Sequence, residues 1–310
     1  MKKIILAVSA ALTLAACQIS YDKTPSGLVY KIFPGKGGDS LKVGQFVRYS
    51  AQFVLTGREG KKDSLLNADS YLPGYFKVDT GGRYAYSYFE IMPKLRVGDS
   101  VVVMLNTDSL KNKGGLNPAD SVVFVKGSTI QCQLKIVQSF KDEKDVMADY
   151  NKELELENKR ETKSAEDYMT QKGYKGIKTK SGAYVVIDNA GDLSMKADTG
   201  KIAMIKYKGY LQSDGKVFDT NFDSSKGHTD PYPVTIGGGG VIPAWQEALP
   251  NFGKGGTGKI IVPAFLGYGE RGNEPVIPPF ANLVFDIQVV DVQTAPPPSK
   301  AGGAQLPPGE

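Results

Sequence analysis

Apolar and polar residues alternate over 129–137 (TIQCQLKIV), which predicts a strand with Cys132 facing inward, and Val101-Val102-Val103 marks a second strand. The last third of the chain reads as short strands separated by turn signals at Asp214-Gly215 and by the glycine run Gly237 to Gly240. One short helix, Ala244 to Leu249, interrupts them, and Pro243 before it suits a first helical turn. Between these regions, 141–173 is rich in Glu, Lys, Ala and Leu, contains no proline and ends at Gly173, so it predicts a helix with a stop signal. Val146, Met147, Tyr150 and Leu154 recur at spacings of three and four, giving one narrow apolar stripe on a charged surface. A semi-rigid strut, a dimerising helix and a solvated helix packed on a neighbouring domain all fit that pattern. Residues 295–310 are rich in Pro, Gly and Ala with almost no core formers, the composition of a disordered tail.

The pattern also repeats. Thr24-Pro25-Ser26-Gly27-Leu28 returns as Thr179-Lys180-Ser181-Gly182-Ala183, and LKVGQFVRYSAQFVL returns in outline as ADTGKIAMIKYKGYL. Pro93 to Gly98 answers Pro250 to Gly255, and STIQCQLKIV answers ANLVFDIQVV. A chain of 310 residues accommodates two domains, each with its own core, and the repeat makes them two copies of one unit.

At the N-terminus, Lys2 and Lys3 precede an apolar run from Ile4 to Leu14 and then Leu14-Ala15-Ala16-Cys17. This order resembles a bacterial lipoprotein signal, which implies removal of residues 1–16 and acylation of Cys17, with 17–23 as a lipid-tethered lead. The implied address is the cell envelope, on the periplasmic side of the outer membrane, since Gln18 follows the cysteine rather than aspartate. Cys132 is the one other cysteine, so a disulfide framework is excluded and a buried core thiol expected. Loss of Lys2 and Lys3 lowers the formal charge of +5 by two, too weak an excess to imply a nucleic-acid partner.

The chemistry concentrates in three segments: KYKGYLQSDGKVFDT, GGGGVIPAWQEALPNF and PAFLGYGERGNEPVIPPFANLVFDIQVV. In order and spacing they resemble FKBP-type peptidyl-prolyl isomerases over most of the chain from Gly182 to Val292. The implied fold class is α+β, with two FKBP-like domains, each a curved antiparallel sheet wrapped around a short helix, joined by the charged helical linker. On this reading 24–140 is a degenerate copy, 141–173 the linker and 174–294 the isomerase domain. The resemblance makes Trp245, the single tryptophan, the floor under a proline ring, with Tyr207, Phe218, Val241, Ile242 and Phe285 as walls. Tyr268 would donate its hydroxyl to a substrate carbonyl and the Ile242 amide would hold another. Asp219 would orient a tyrosine or polarise the reacting carbonyl, Ile277 would sit in a flap, and Tyr232 takes a place usually held by phenylalanine. Taken singly, Phe218, Val241, Ile242 and Phe285 read as core residues, Tyr207 as a buried hydrogen bonder and Asp219 as a turn cap.

The first copy lacks this set. In register, Tyr88 falls at the position of Trp245, Ala51 at Tyr207, Cys132 at Phe285 and Lys111 at Tyr268, with Asp63 and Lys62 answering Asp219 and Phe218. Its expected work is spacing, dimerisation or client binding. Other departures lie in the second copy. Its loop from Thr220 to Asp230 is long and lacks the family's arginine, leaving Lys226 as the nearest cation; Gly240 replaces an acidic residue; His228 reads as a solvated loop residue. The glycine run reads as a flexible connection, and the Pro278-Pro279 pair as a stiff flap, with one of its bonds a candidate for cis.

The function implied is a membrane-anchored prolyl isomerase assisting the folding of exported proteins by desolvation in an aromatic pocket, with no cofactor and no metal. Proline-containing polypeptides are its expected clients and macrolide-type inhibitors its expected ligands, with a homodimer through the first domain or linker left open. The alternatives are a lipid-anchored chaperone or binding module with little turnover, and a structural lipoprotein.

Overall fold

The computed structural model describes residues 20–57, 63–67, 72–80, 84–113, 115 and 124–294. Cys17, Lys62, the 1–16 signal and the 295–310 tail lie outside them. Contacts divide the chain into two units between Glu153 and Leu154.

The first unit holds β1 (Asp22–Lys23), β2 (Val29–Phe33), β3 (Phe46–Thr56), β4 (Ser64–Asn67), β5 (Gly74–Lys77), β6 (Ser100–Asn106), α1 (Thr107–Asn112) and β7 (Thr129–Phe140). Among the described residues they form one antiparallel sheet in the order β1-β2-β6-β7-β3-β4, with β5 also on β3. The 3-10 turn Tyr88–Lys94 fills the concave side with Ile91 and Met92, both fully buried. Cys132 is fully buried there, and burial pushes its thiol up to about 12, as expected of an inert core residue.

Helix α2 (Glu143–Lys172) follows, and Gly173, at φ +67, closes it: the Tyr174 amide bonds the Met169 carbonyl and the Gly173 amide that of Thr170. The buried face of α2 differs from the predicted stripe. Met147 is 51% exposed, and the face runs from Val146 through Glu157, Glu161, Ala165 and Met169, a spacing nearer four than the clustered apolar residues suggested. In the first unit, Arg48 bonds Asp149 and Glu153 and the Tyr75 hydroxyl bonds Asp149 at 2.7 Å.

The second unit repeats the plan with β8 (Ile177–Lys178), β9 (Tyr184–Asn189), β10 (Asp192–Lys196), β11 (Lys201–Leu211), β12 (Val217–Thr220), β13 (Tyr232–Thr235), α3 (Pro243–Ala248), β14 (Gly253–Lys254), β15 (Thr257–Val262) and β16 (Leu283–Thr294). The main sheet runs β12-β11-β16-β15-β9-β8, with β13 also on β11 and a small β10-β14 pair beside it. Helix α3 starts at Pro243, as its first-turn proline implies, and passes into a 3-10 turn, Leu249–Asn251. It plugs the concave face, where Trp245, Ala248, Leu249 and Phe252 pack on Ile205, Ile260, Leu283, Phe285 and Ile287. Burying each large side chain there stabilises the unit by about 1.5–3 kcal/mol. The convex face is covered too. Ala165 and Met169 of α2 pack on Tyr184, Val186, Ile261 and Val284, so Tyr184-Val185-Val186 is buried on both sides of the strand.

Both long strands carry a register shift at equivalent places, Arg48/Tyr49 against β7 and Met204/Ile205 against β16. That shift fixes the correspondence between units. Ala51 takes the place of Tyr207, and Cys132, opposite Phe53, takes that of Phe285, opposite Gly209. One expectation changes: Gly209 pairs with Asp219 and Phe53 with Asn67, so Asn67 and Leu66, not Asp63 and Lys62, answer Asp219 and Phe218. At the matching place in the first unit the Phe53 ring lies 5.7 Å from Tyr88, and Tyr88 lies 6.3 Å from Tyr49.

Candidate active site: an aromatic cup in the second unit

A cavity of about 580 Å³ opens between the concave face of the sheet and α3. Tyr207, Phe218, Asp219, Tyr232, Val241, Ile242, Trp245, Tyr268 and Phe285 all line it, together with Gly240, Pro243 and Gly267. Alternation along β11 and β16 turns Tyr207 and Phe285 inward, while α3 lifts Trp245 from below. The rings meet edge to face: Trp245 lies 5.3 Å from Tyr207 and 5.2 Å from Phe285, and Phe285 lies 5.7 Å from Phe218. Trp245, Tyr207, Phe218 and Phe285 are buried and Val241 and Ile242 half-buried, and Trp245 Nε1 has no partner among the described residues.

Ile277 does not line the cavity. It is 1% exposed and belongs to the core, so the VIPPF segment turns this side chain inward rather than over the pocket. The cis peptide bond among the described residues is Glu274–Pro275, not one at Pro278 or Pro279.

Polar groups gather at the mouth. The Tyr207 hydroxyl donates to Asp219 Oδ2 at 2.5 Å, and the Thr220 amide donates to Asp219 Oδ1 at 2.9 Å. His228 Nε2 sits 3.0 Å from the same Oδ1, so the side chain facing the carboxylate is His228 and not Lys226. Burial opposes ionisation of Asp219, but Tyr207 and His228 together outweigh it and hold the carboxyl below its usual value. Burial raises the Tyr207 phenol, and the Asp219 charge adds to that, so the tyrosine stays a donor.

Two donors at the rim are free. The Tyr268 hydroxyl and the Ile242 backbone amide have no acceptor among the described residues. Burial, then the charge of Asp219, raises the Tyr268 phenol, keeping its proton available. Tyr268 is 38% exposed and Tyr232 44%, as rim residues are.

Asn221 holds the wall in place and is not evident in the sequence. Fully buried, it accepts the Tyr207 amide at 2.6 Å and donates to the carbonyls of Ile205 and Asp230 at 3.0 and 2.9 Å. The glycine run is likewise pinned: Gln246 of α3 accepts from the Gly237 amide and donates to the Thr235 and Gly239 carbonyls. Among the described residues no three His, Cys, Asp or Glu side chains are grouped to hold a metal ion.

Residues 194–290 match the family of FKBP-type peptidyl-prolyl cis-trans isomerases, and residues 1–18 match the prokaryotic membrane lipoprotein lipid attachment site, the mark of a lipid-anchored protein of the cell envelope. The chain is 39% identical over 125 residues to the FKBP-type isomerase FkpA of Escherichia coli strain K12, covering 39% of this chain but 42% of that one. It is 34% identical over 111 residues to the FK506-binding protein of Neisseria meningitidis serogroup A, covering 36% of this chain and 97% of that one. The crystal structure of Escherichia coli FkpA superposes with a TM-score of 0.37 at 33% identity, over 49% of this chain and 70% of that one. No helix among the described residues is long and apolar enough to cross a membrane. With nearly the whole of a single-domain relative matched at this identity, the chain belongs to the FKBP-type peptidyl-prolyl cis-trans isomerase family.

Proposed function

We propose that the second unit isomerises Xaa-Pro bonds in exported polypeptides while the chain is held at a membrane by lipid on Cys17. The observation that carries this reading is the pairing of an apolar aromatic cup with two free donors at its rim, Tyr268 hydroxyl and Ile242 amide. Rotation about the bond faces a barrier of about 18–20 kcal/mol because amide resonance must be lost. In the twisted state the carbonyl is less polarised and the nitrogen more amine-like, so that state loses less on leaving water than the planar one does. A cup floored by Trp245 and walled by Phe218 and Phe285 favours it by desolvation and differential binding. The Tyr268 hydroxyl and Ile242 amide hold flanking carbonyls, while Asp219 fixes the Tyr207 ring and adds a charge beside the rotating group.

On this reading residues 24–140 are a non-catalytic copy, because Ala51, Tyr88 and Cys132 stand where the cup has Tyr207, Trp245 and Phe285, and the Phe53 ring lies against Tyr88. A macrolide of the kind named for the Neisseria relative would occupy the cup and compete with clients. Gln18 supports an outer-membrane, periplasmic address, and a homodimer through the first unit or α2 is the assembly to test. The experiment is refolding of a protein limited by a proline bond, with a soluble form starting at Gln18. Acceleration that the macrolide abolishes supports the reading; retention of the client without acceleration replaces it with a holding chaperone.

A further inference from the structure

Helix α2 buries two carboxylates against the second unit, Glu157 at 2% and Glu161 at 4% exposure. A carboxylate is expensive to bury and is expected to have a specific partner. Glu157 pairs with Arg160 one turn along the helix. Glu161 instead reaches the cup's supporting loop. Its Oε2 accepts the Phe265 amide at 2.8 Å, and its own carbonyl accepts Asn282 Nδ2 at 2.9 Å. Asn282 Oδ1 in turn accepts the Ala264 amide at 2.9 Å.

These bonds grip both segments that deliver rim and wall. Phe265 lies three residues before Tyr268, and Asn282 three before Phe285. The intervening 3-10 turn is tight, with the Leu266 amide on the Pro263 carbonyl and the Gly267 amide on Ala264, so a shift at Phe265 carries through to Gly267 and Tyr268. We propose that Glu161 is a positioning residue for the cup, its carboxylate setting where Tyr268 stands. This rests on the reading of the cup as the client site.

The carboxyl is also poised to change charge. Burial pushes it up to about 7, and the charge of Glu157 adds to this, while the Phe265 amide and Arg160 oppose. Glu157 and Arg160 face it from its own helix; the loop and the start of β16 present only the neutral Phe265 amide and Asn282. Protonation replaces a charge-assisted acceptor with a weaker neutral one, loosening the grip.

The test is peptide binding read by fluorescence of Trp245, the single tryptophan, in the soluble chain, for wild type, Glu161→Gln and Glu161→Ala at pH 8.5 and 5.5. Hydrogen exchange at the Phe265 amide is followed alongside. Wild type is expected to bind about 3- to 10-fold more tightly than Glu161→Gln at pH 8.5, the ratio nearing one at pH 5.5. Glu161→Ala is expected to exchange faster at Phe265 and to bind more weakly still. The His228–Asp219 contact is common to all three proteins, so only ratios between them are read. Equal affinities for wild type and Glu161→Gln at both pH values overturn the proposal, as does faster Phe265 exchange in Glu161→Ala with unchanged affinity. If Glu161→Ala does not fold, the Glu161→Gln ratios decide. Binding without turnover overturns the isomerase reading and leaves this one standing; a wild type that binds no peptide overturns both.

Discussion

Gly209 stands directly opposite Phe285 across the β11–β16 ladder, and a methyl group on it would meet the Phe218 ring at 2.6 Å and the Phe285 ring at 2.8 Å. The first unit inverts the sizes, with Phe53 opposite Cys132. The absence of a side chain at Gly209 thus leaves the space that the Phe218 and Phe285 rings occupy.

Gly209→Ala is expected to push both rings into the cup, lowering isomerisation at least about 10-fold and stability by about 1–3 kcal/mol. A peptide assay beside urea unfolding checks it. A variant with normal turnover would mean that the rings have slack the structure does not show.

Asn221→Ala leaves the Tyr207 amide and the Ile205 and Asp230 carbonyls without their partner. Orphaning buried groups of this kind costs about 2–4 kcal/mol in all, and water entering the space keeps the cost at that end. Denaturant unfolding should also show the 220–230 loop becoming susceptible to proteolysis.

Asp219→Asn removes the acceptor shared by Tyr207 and His228. The native carboxyl is held below its unfolded value, so its contribution to stability is present above that value and lost as pH falls through the lower, folded one. Wild type and Asp219→Asn should therefore differ most at neutral pH and converge only as pH falls through that lower, folded value. His228→Ala should weaken peptide binding by a smaller factor, about two- to fivefold, since Tyr207 still holds the carboxylate.

Glu161 behaves with the opposite sign. Its folded value, about 7, lies above the unfolded one, so its contribution is fully present below about pH 4.3 and is lost as pH rises through 7. Glu161→Gln should gain on wild type from pH 4 to 7 and level off above, by about 3 kcal/mol, in pH-dependent denaturant unfolding. A more stable but looser cup is the expected trade.

Much of the cup was legible because aromatic residues at family spacing on alternating strands have few places to point: nine of the ten proposed pocket residues line one cavity. Ile277 was misread because a proline-bounded loop has no periodicity to tell inward from outward. His228 and Lys226 stand two residues apart, and only the folded loop determines which meets Asp219. The Asp63 assignment failed because register across a hairpin is set by pairing with β3, which a linear alignment does not contain. Nothing in the charged sequence of α2 sets Glu161 apart; its partner, the Phe265 amide, lies 104 positions away.

The central claim is tested most directly by the cis-to-trans rate of an Xaa-Pro peptide with the soluble chain, beside Trp245→Ala and Tyr268→Phe. Wild type should accelerate exchange, Trp245→Ala should lose nearly all of the effect and Tyr268→Phe about 10-fold of it. Equal rates in all three would place any catalysis outside the cup, and no acceleration by wild type would contradict the account.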